Sequence, residues 1–191
     1  METRGLRLGL GAALVLLVCA VFAQARGFDF LHFDDQTYVA KNPDVASGLT
    51  ARSVGWALTT GRAANWHPLT WLSHMADVEL FGMWAGGHHL VNVAIHALTT
   101  LLLFAFLLGL VASPWTAASL AALWAIHPLR CESVVWVAER KDVLSGFFWM
   151  ATVLAWTRYA KDGKARGTYA LALAWFALGL LSKPMLVTLP I

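Results

Sequence analysis

Residues 1–27 read METRGLRLGLGAALVLLVCAVFAQARG. Arg4 and Arg7 stand ahead of a run of about fifteen apolar residues, and Ala23-Gln24-Ala25 offers the small residues of a cleavage site. This pattern is either a secretory signal or a retained membrane helix with its basic end inside. Either one delivers the residues after Gly27 to the far side of a membrane. Working outward, the apolar residues keep falling in blocks. Spans are expected over residues 6–25, 88–112, 115–128, 143–160 and 168–182, with another apolar run over 184–191. The block at 115–128 is short, so tilt or burial against neighbours must complete it. The expected fold is all-α, a polytopic membrane helix bundle. No chain terminus is evident at Ile191, so a fragment of a longer protein is expected.

Composition agrees. The 191 residues are 59% hydrophobic and 13% charged, whereas an average soluble domain is nearer 25% charged. Ten Trp and ten Phe suit aromatic belts at a membrane interface. The net charge of +3 is accounted for by basic loops facing the cytoplasm. No basic run with interleaved aromatics supports nucleic-acid binding. Cys19 is in an apolar block and Cys131 in a polar one, so neither a disulfide nor a zinc motif is expected.

Two polar segments interrupt the blocks, at residues 26–87 and 129–142. The basic residues Arg158, Lys161, Lys164 and Arg166 should be cytoplasmic, as should Arg4 and Arg7. Counting spans between them places both polar segments, and Lys183, on the outer side. Within 26–87, NPDV (42–45) reads as a turn. Residues 51–60 read as a short amphipathic helix with Trp56 on its apolar side. NWHPLTWLSHMADVELFG (65–82) has the mixed spacing of a helix lying in the interface.

The chemistry-bearing residues lie in these segments. FDFLHFDDQTY (28–38) carries Asp34 and Asp35. A carboxylate there could act as a general base on a hydroxyl or hold a divalent metal; the plainer reading is an acidic surface loop. HPLRCESVVWVAERKDVLS (127–145) places Glu139 and Asp142 at i, i+3, interrupted by Arg140 and Lys141. The plainer reading there is the start of the next helix, with Asp142 near its N-terminus and the basic residues snorkelling. The functional one is a mixed-charge surface, where Arg130, Arg140 or Lys141 clamps phosphate. His88, Asn92 and His96, at i, i+4, i+8, suit helix–helix hydrogen bonding better than metal binding. Lys183 lies between two apolar runs and either snorkels or pairs with an anion. No GxGxxG, Walker motif, nucleophile elbow or 34-residue repeat is present.

FDDQTYVAKNPDV, WHPLTWLSHMADVELFG, HHLVNVAIHAL, HPLRCESVVWVAERKDVLSGFFW and LGLLSKPMLVTLP together resemble the N-terminal membrane part of bacterial TPR-containing membrane proteins. These are similar to the transmembrane-and-TPR O-mannosyltransferases of animals, and both look like glycosyltransferases of the C superfamily (GT-C). The resemblance runs from about Phe28 to Ile191, and the HPLR…ERKDVLS block is its most specific part. It implies a retained first helix, a multi-pass protein of the bacterial inner membrane, and a polyprenyl-phosphate sugar donor. It implies an acidic pair required for catalysis in the first outer loop, which Asp34 and Asp35 match. A charged motif in the second loop is matched by Glu139, Arg140 and Asp142. A protein-binding TPR array would come after the membrane domain, and this stretch alone is expected to be inactive.

The function expected is therefore transfer of a sugar from a polyprenyl-phosphate donor to a protein or glycan hydroxyl, outside the cytoplasm. Asp34, Asp35, Glu139 and Asp142 are the candidate catalytic residues, with Asp34 and Asp35 also candidate ligands for a divalent metal. Arg130, Arg140, Lys141 and Lys183 are candidates for the donor phosphate. The alternatives are a non-catalytic membrane anchor for a TPR interaction domain and a piece of a transporter.

Overall fold

A computed structural model describes residues 2–161 and 166–189. Every regular element among them is helical. Helix α1 (Glu2–Phe22) runs into a 3-10 turn at Ala23–Gly27. The first polar segment folds into a wide helical turn, Gln36–Ala40, then α2 (Pro43–Ala46), α3 (Ala51–Thr59) and α4 (Pro68–Phe81). Then come α5 (Ala85–Leu107), α6 (Pro114–Ala125), α7 (Arg130–Val135), α8 (Arg140–Lys161) and α9 (Arg166–Ser182).

Local chemistry sets the boundaries. Asn42 caps α2 by accepting the Asp44 and Val45 N–H groups, so the expected turn at 42–45 is the start of a helix. Thr50 and Ser53 form a capping box for α3. Pro68 and Pro114 sit in the first turns of α4 and α6, where a missing N–H costs nothing. Gly82, at φ 59°, ends α4, and α5 begins at Ala85, three residues earlier than expected. Gly86 is needed because a Cβ there would strike the Arg26 carbonyl.

The long helices alternate in direction. The start of α1 packs with the end of α5 and the start of α6: Leu10 and Leu14 meet Phe104, Ala117, Ala118 and Ala121. The end of α1 packs with the other end, where Phe22 meets Val93, Ala125, Val134 and Val143. Alanines at 117, 118, 121 and 125 let α6 come close to its neighbours. Helices α8 and α9 pair through Phe148 and Trp175, whose rings stack at 5.8 Å. The last apolar run begins as a 3-10 turn, Pro184–Thr188, rather than as the expected span; Pro190 and Ile191 lie outside the described residues. Leu186 is buried beside Phe148 and against Gly179, where a Cβ would collide with it.

This alternation brings both polar segments and Lys183 to one end of the bundle. There, a second core forms from Tyr38, Val39, Val45, Ala57, Trp71 and Met75, closed by Val137 and Ala138. Trp56 of α3 packs on Trp71 at 5.2 Å between ring centroids. Residues Arg4–Gly27 and Ala85–Leu107 form helical stretches long and apolar enough to cross a bilayer, with mean hydropathies of 2.4 and 2.1.

Candidate active site

Asp35 joins the two polar segments. It is fully buried. Its Oδ2 accepts the Leu31 N–H at 2.9 Å, and its Oδ1 accepts the Ala138 N–H at 2.8 Å, across 103 residues of sequence. Burial raises its pKa, and the two backbone donors work against that rise. Both oxygens are thus occupied in holding backbone. Asp34, its half-buried neighbour, is the more available carboxylate. Its charge acts on Tyr38, whose hydroxyl is pushed up to about 12 by burial and by the charges of Asp34 and Glu139. Acids from both segments therefore act on one phenol through their charge.

Around Tyr38 lies a tight polar-aromatic cluster. Its ring stacks on His67 (5.6 Å) and Trp71 (4.8 Å), and the Lys141 ammonium sits 4.8 Å from its centroid. Lys141 also pairs with Glu139 at 2.7 Å and donates to the Ala138 carbonyl. Burial holds the Glu139 carboxyl above its ordinary value against the pull of Lys141, with Asp142 adding to the rise. The same burial, helped by Lys141 and Lys183, pushes the His67 imidazole down to about 4. Asp142, in the first turn of α8, pairs with Lys183 and accepts the Ser133 hydroxyl at 3.3 Å. Of the two readings of Lys183, the structure shows the pairing with an anion.

Arg140 has a different setting from the other three basic candidates. It is fully buried. Its Nε donates to Asn92 Oδ1, Nη1 to Ser73 Oγ at 2.6 Å, and Nη2 to Asp77 Oδ2 at 2.6 Å and the His88 carbonyl at 2.9 Å. Four donated bonds leave this guanidinium little to offer a phosphate. It fastens the middle and second half of α4 to the N-terminal parts of α5 and α8. The polar stripe on α5 does similar work, as the helix–helix reading requires. His89 Nδ1 lies 2.6 Å from the Val135 carbonyl, Asn92 donates to the Trp136 carbonyl at 3.0 Å, and His96 Nε2 lies 2.9 Å from the Ala125 carbonyl.

A groove of about 310 Å³ descends from this charged end along the bundle. Arg130, Ser133 and Asp142 line its mouth, and Leu103, Trp149 and Met150 its apolar walls. The Arg130 guanidinium lies 5.3 Å from the Trp124 ring, and its buried Nε has no hydrogen-bond partner. A wider cleft of about 630 Å³, with Phe28, Asp29, Leu31, Glu132 and Trp136 in its walls, opens beside the Asp35 bridge.

Asp34, Asp35, Glu139, Lys141, Asp142 and Lys183 thus gather at one end, with Arg130 at the groove mouth and Arg140 below. Among the described residues, Asp34 and Asp35 join no group of three potential ligands, whereas His74, Asp77 and His88 form one. The reading of residue types missed Tyr38, His67, His74 and Asp77. For the last two, the spacing i, i+3 on a helix was the available signal.

No family model matches the chain, and no solved structure matches it. Curated proteins do. The chain is 31% identical over 185 residues to protein O-mannosyl-transferase Tmtc2 of Drosophila melanogaster, covering 90% of this chain and 20% of that protein. It is 28% identical over 182 residues to protein O-mannosyl-transferase TMTC1 of Homo sapiens, covering 89% of this chain and 20% of the relative. To the TMTC2 protein of Mus musculus it is 27% identical over 164 residues, 82% of this chain and 19% of the relative. The chain spans about a fifth of the length of the curated relatives it matches. Over most of its length the chain is similar to one part of these O-mannosyl-transferases. With its two apolar helices, that similarity supports membrane association.

Proposed function

We propose that this chain is the donor-binding part of a multi-pass membrane glycosyltransferase. It transfers a sugar from polyprenyl phosphate to a hydroxyl of a protein or glycan on the extracytoplasmic side. The observation that carries this reading is the groove: a charged mouth above apolar walls suits a phosphate head on a hydrocarbon chain. The basic residues Arg4, Arg7, Lys161 and Arg166 crowd the opposite end, which supports a cytoplasmic placement there.

In this mechanism, Arg130 and Lys183 take the donor phosphate. The acceptor hydroxyl approaches along the wider cleft. Its oxygen bonds to the sugar's anomeric carbon as the carbon–oxygen bond to phosphate breaks. The proton passes to Asp34 or Glu139, and polyprenyl phosphate leaves as a stable anion. Burial suits Glu139 to accept a proton, because it raises the carboxyl's basicity. Electrostatic stabilisation of the departing phosphate matters more than its protonation. Asp35 acts as a positioning residue, holding Ala138 and with it Glu139.

The test is transfer of labelled sugar from polyprenyl phosphate by the full-length protein in proteoliposomes. Asp34→Asn and Glu139→Gln should each lower the rate, and together by roughly 100-fold or more. Undiminished transfer by both variants and by the double variant would remove these residues from the reaction.

A further inference from the structure

Below the Tyr38 cluster, three side chains from two helices converge without a role in sugar transfer. His74 and Asp77 lie one turn apart on α4, and His88 lies in the first turn of α5. All three are buried, and one ligand atom from each lies within 4.8 Å of the others. His74 is fully buried with neither ring nitrogen hydrogen-bonded. An unpaired buried polar group of this kind costs on the order of 1–3 kcal/mol.

The pairing of His88 sharpens the point. Its Nε2 lies 3.1 Å from the Gly82 carbonyl and so carries the proton it donates. In the neutral ring its Nδ1 presents a lone pair to Asp77 Oδ2 at 3.3 Å. That pairing is repulsive unless a second ring proton or a shared metal ion lies between the two atoms. Asp77 already carries the Arg140 guanidinium on the same oxygen. A ring nitrogen donated to a backbone carbonyl and a carboxylate steadied by a further donor are the usual outer supports of metal ligands.

We propose that His74, Asp77 and His88 bind a divalent transition-metal ion of the zinc class. Two imidazole nitrogens and one carboxylate oxygen are a standard zinc donor set, with a fourth tetrahedral position left for water. The ion clamps α4, and through it the first polar segment, to the head of α5. The binding is independent of the sugar-transfer reading, because neither the groove nor the acids around Tyr38 supply a ligand.

The full-length protein, purified in detergent with its tag removed, should contain about one zinc per chain by elemental analysis. After chelation, added cobalt(II) should give visible absorption bands of a low-symmetry nitrogen–oxygen site. His74→Gln should lose the metal, and His32→Gln, at an exposed histidine, should keep it. Fewer than about one ion in ten chains with no cobalt bands in the wild type would overturn the proposal, whatever the folding of the variants. So would full metal content in the folded His74→Gln protein.

Discussion

The two ends of the bundle are made of opposite materials. At the end where α1 begins and α5 finishes, the buried side chains are Leu10, Leu14, Phe104, Ala117, Ala118 and Ala121. The buried polar groups of the lower helices are threonines that bond within their own helix, as Thr100 does to the His96 carbonyl and Thr152 to that of Phe148. At the other end, Asp35, Asp77 and Arg140 are buried together with His67, His74 and His88. An apolar core of equal volume would be as stable or more so, so buried charge there is poorly explained by stability alone. It is better explained by the two carboxylate-bearing segments it holds in register. One end is a packing solution, and the other spends stability on placing groups.

That contrast can be broken most severely at Arg140. Arg140→Met leaves the Asp77 carboxylate buried and partly unpaired, and should destabilise the protein by about 3–5 kcal/mol. The readout is thermal unfolding in detergent, with Asp77→Leu added to Arg140→Met recovering part of the loss. A leucine-to-alanine change at exposed Leu110, at the apolar end, should move the same readout by less than about 0.5 kcal/mol.

Acid should separate the ends next. His67 has its pKa lowered to about 4 from 6.5, so the folded state disfavours its protonation while the unfolded chain accepts the proton. Its contribution is therefore complete above pH 6.5 and is lost as pH falls toward 4, by up to about 3 kcal/mol. Melting temperature measured across this window should drop in the wild type and drop less in His67→Gln.

The smallest effect sharpens the role of the groove. Gly146 lines it, and a Cβ there meets open space. Gly146→Leu should fill the groove while leaving folding intact, since leucine also favours helix over glycine. With the lipid donor proposed above, KM should rise about tenfold, equivalent to about 1.4 kcal/mol, with melting unchanged.

The helices were legible because apolar blocks and proline starts are local. The helices at Glu2–Phe22 and Ala85–Leu107 were read within a few residues. The convergence of both polar segments at one end came from counting spans. What sequence hid was the partner of each charge. Arg140 reads as a surface clamp beside Lys141, and only contacts 48 to 67 residues away show that it is buried. Asp35 and Asp34 look equivalent, and the Ala138 N–H, 103 positions on, makes them different. The apolar run after Lys183 looks like another span, and its 3-10 start comes from packing against Gly179.

The central claim is that the two polar segments meet. Phe33, exposed at the surface, lies 5.8 Å from Trp136 between ring centroids. Cysteines placed at Phe33 and Trp136 in the full-length protein, with Cys19 and Cys131 changed to serine, test it in native membranes. A short thiol-to-thiol cross-linker should join the two positions, so that fragments cut between them stay together. Free separation of the fragments, in protein that still transfers sugar, would contradict the shared site.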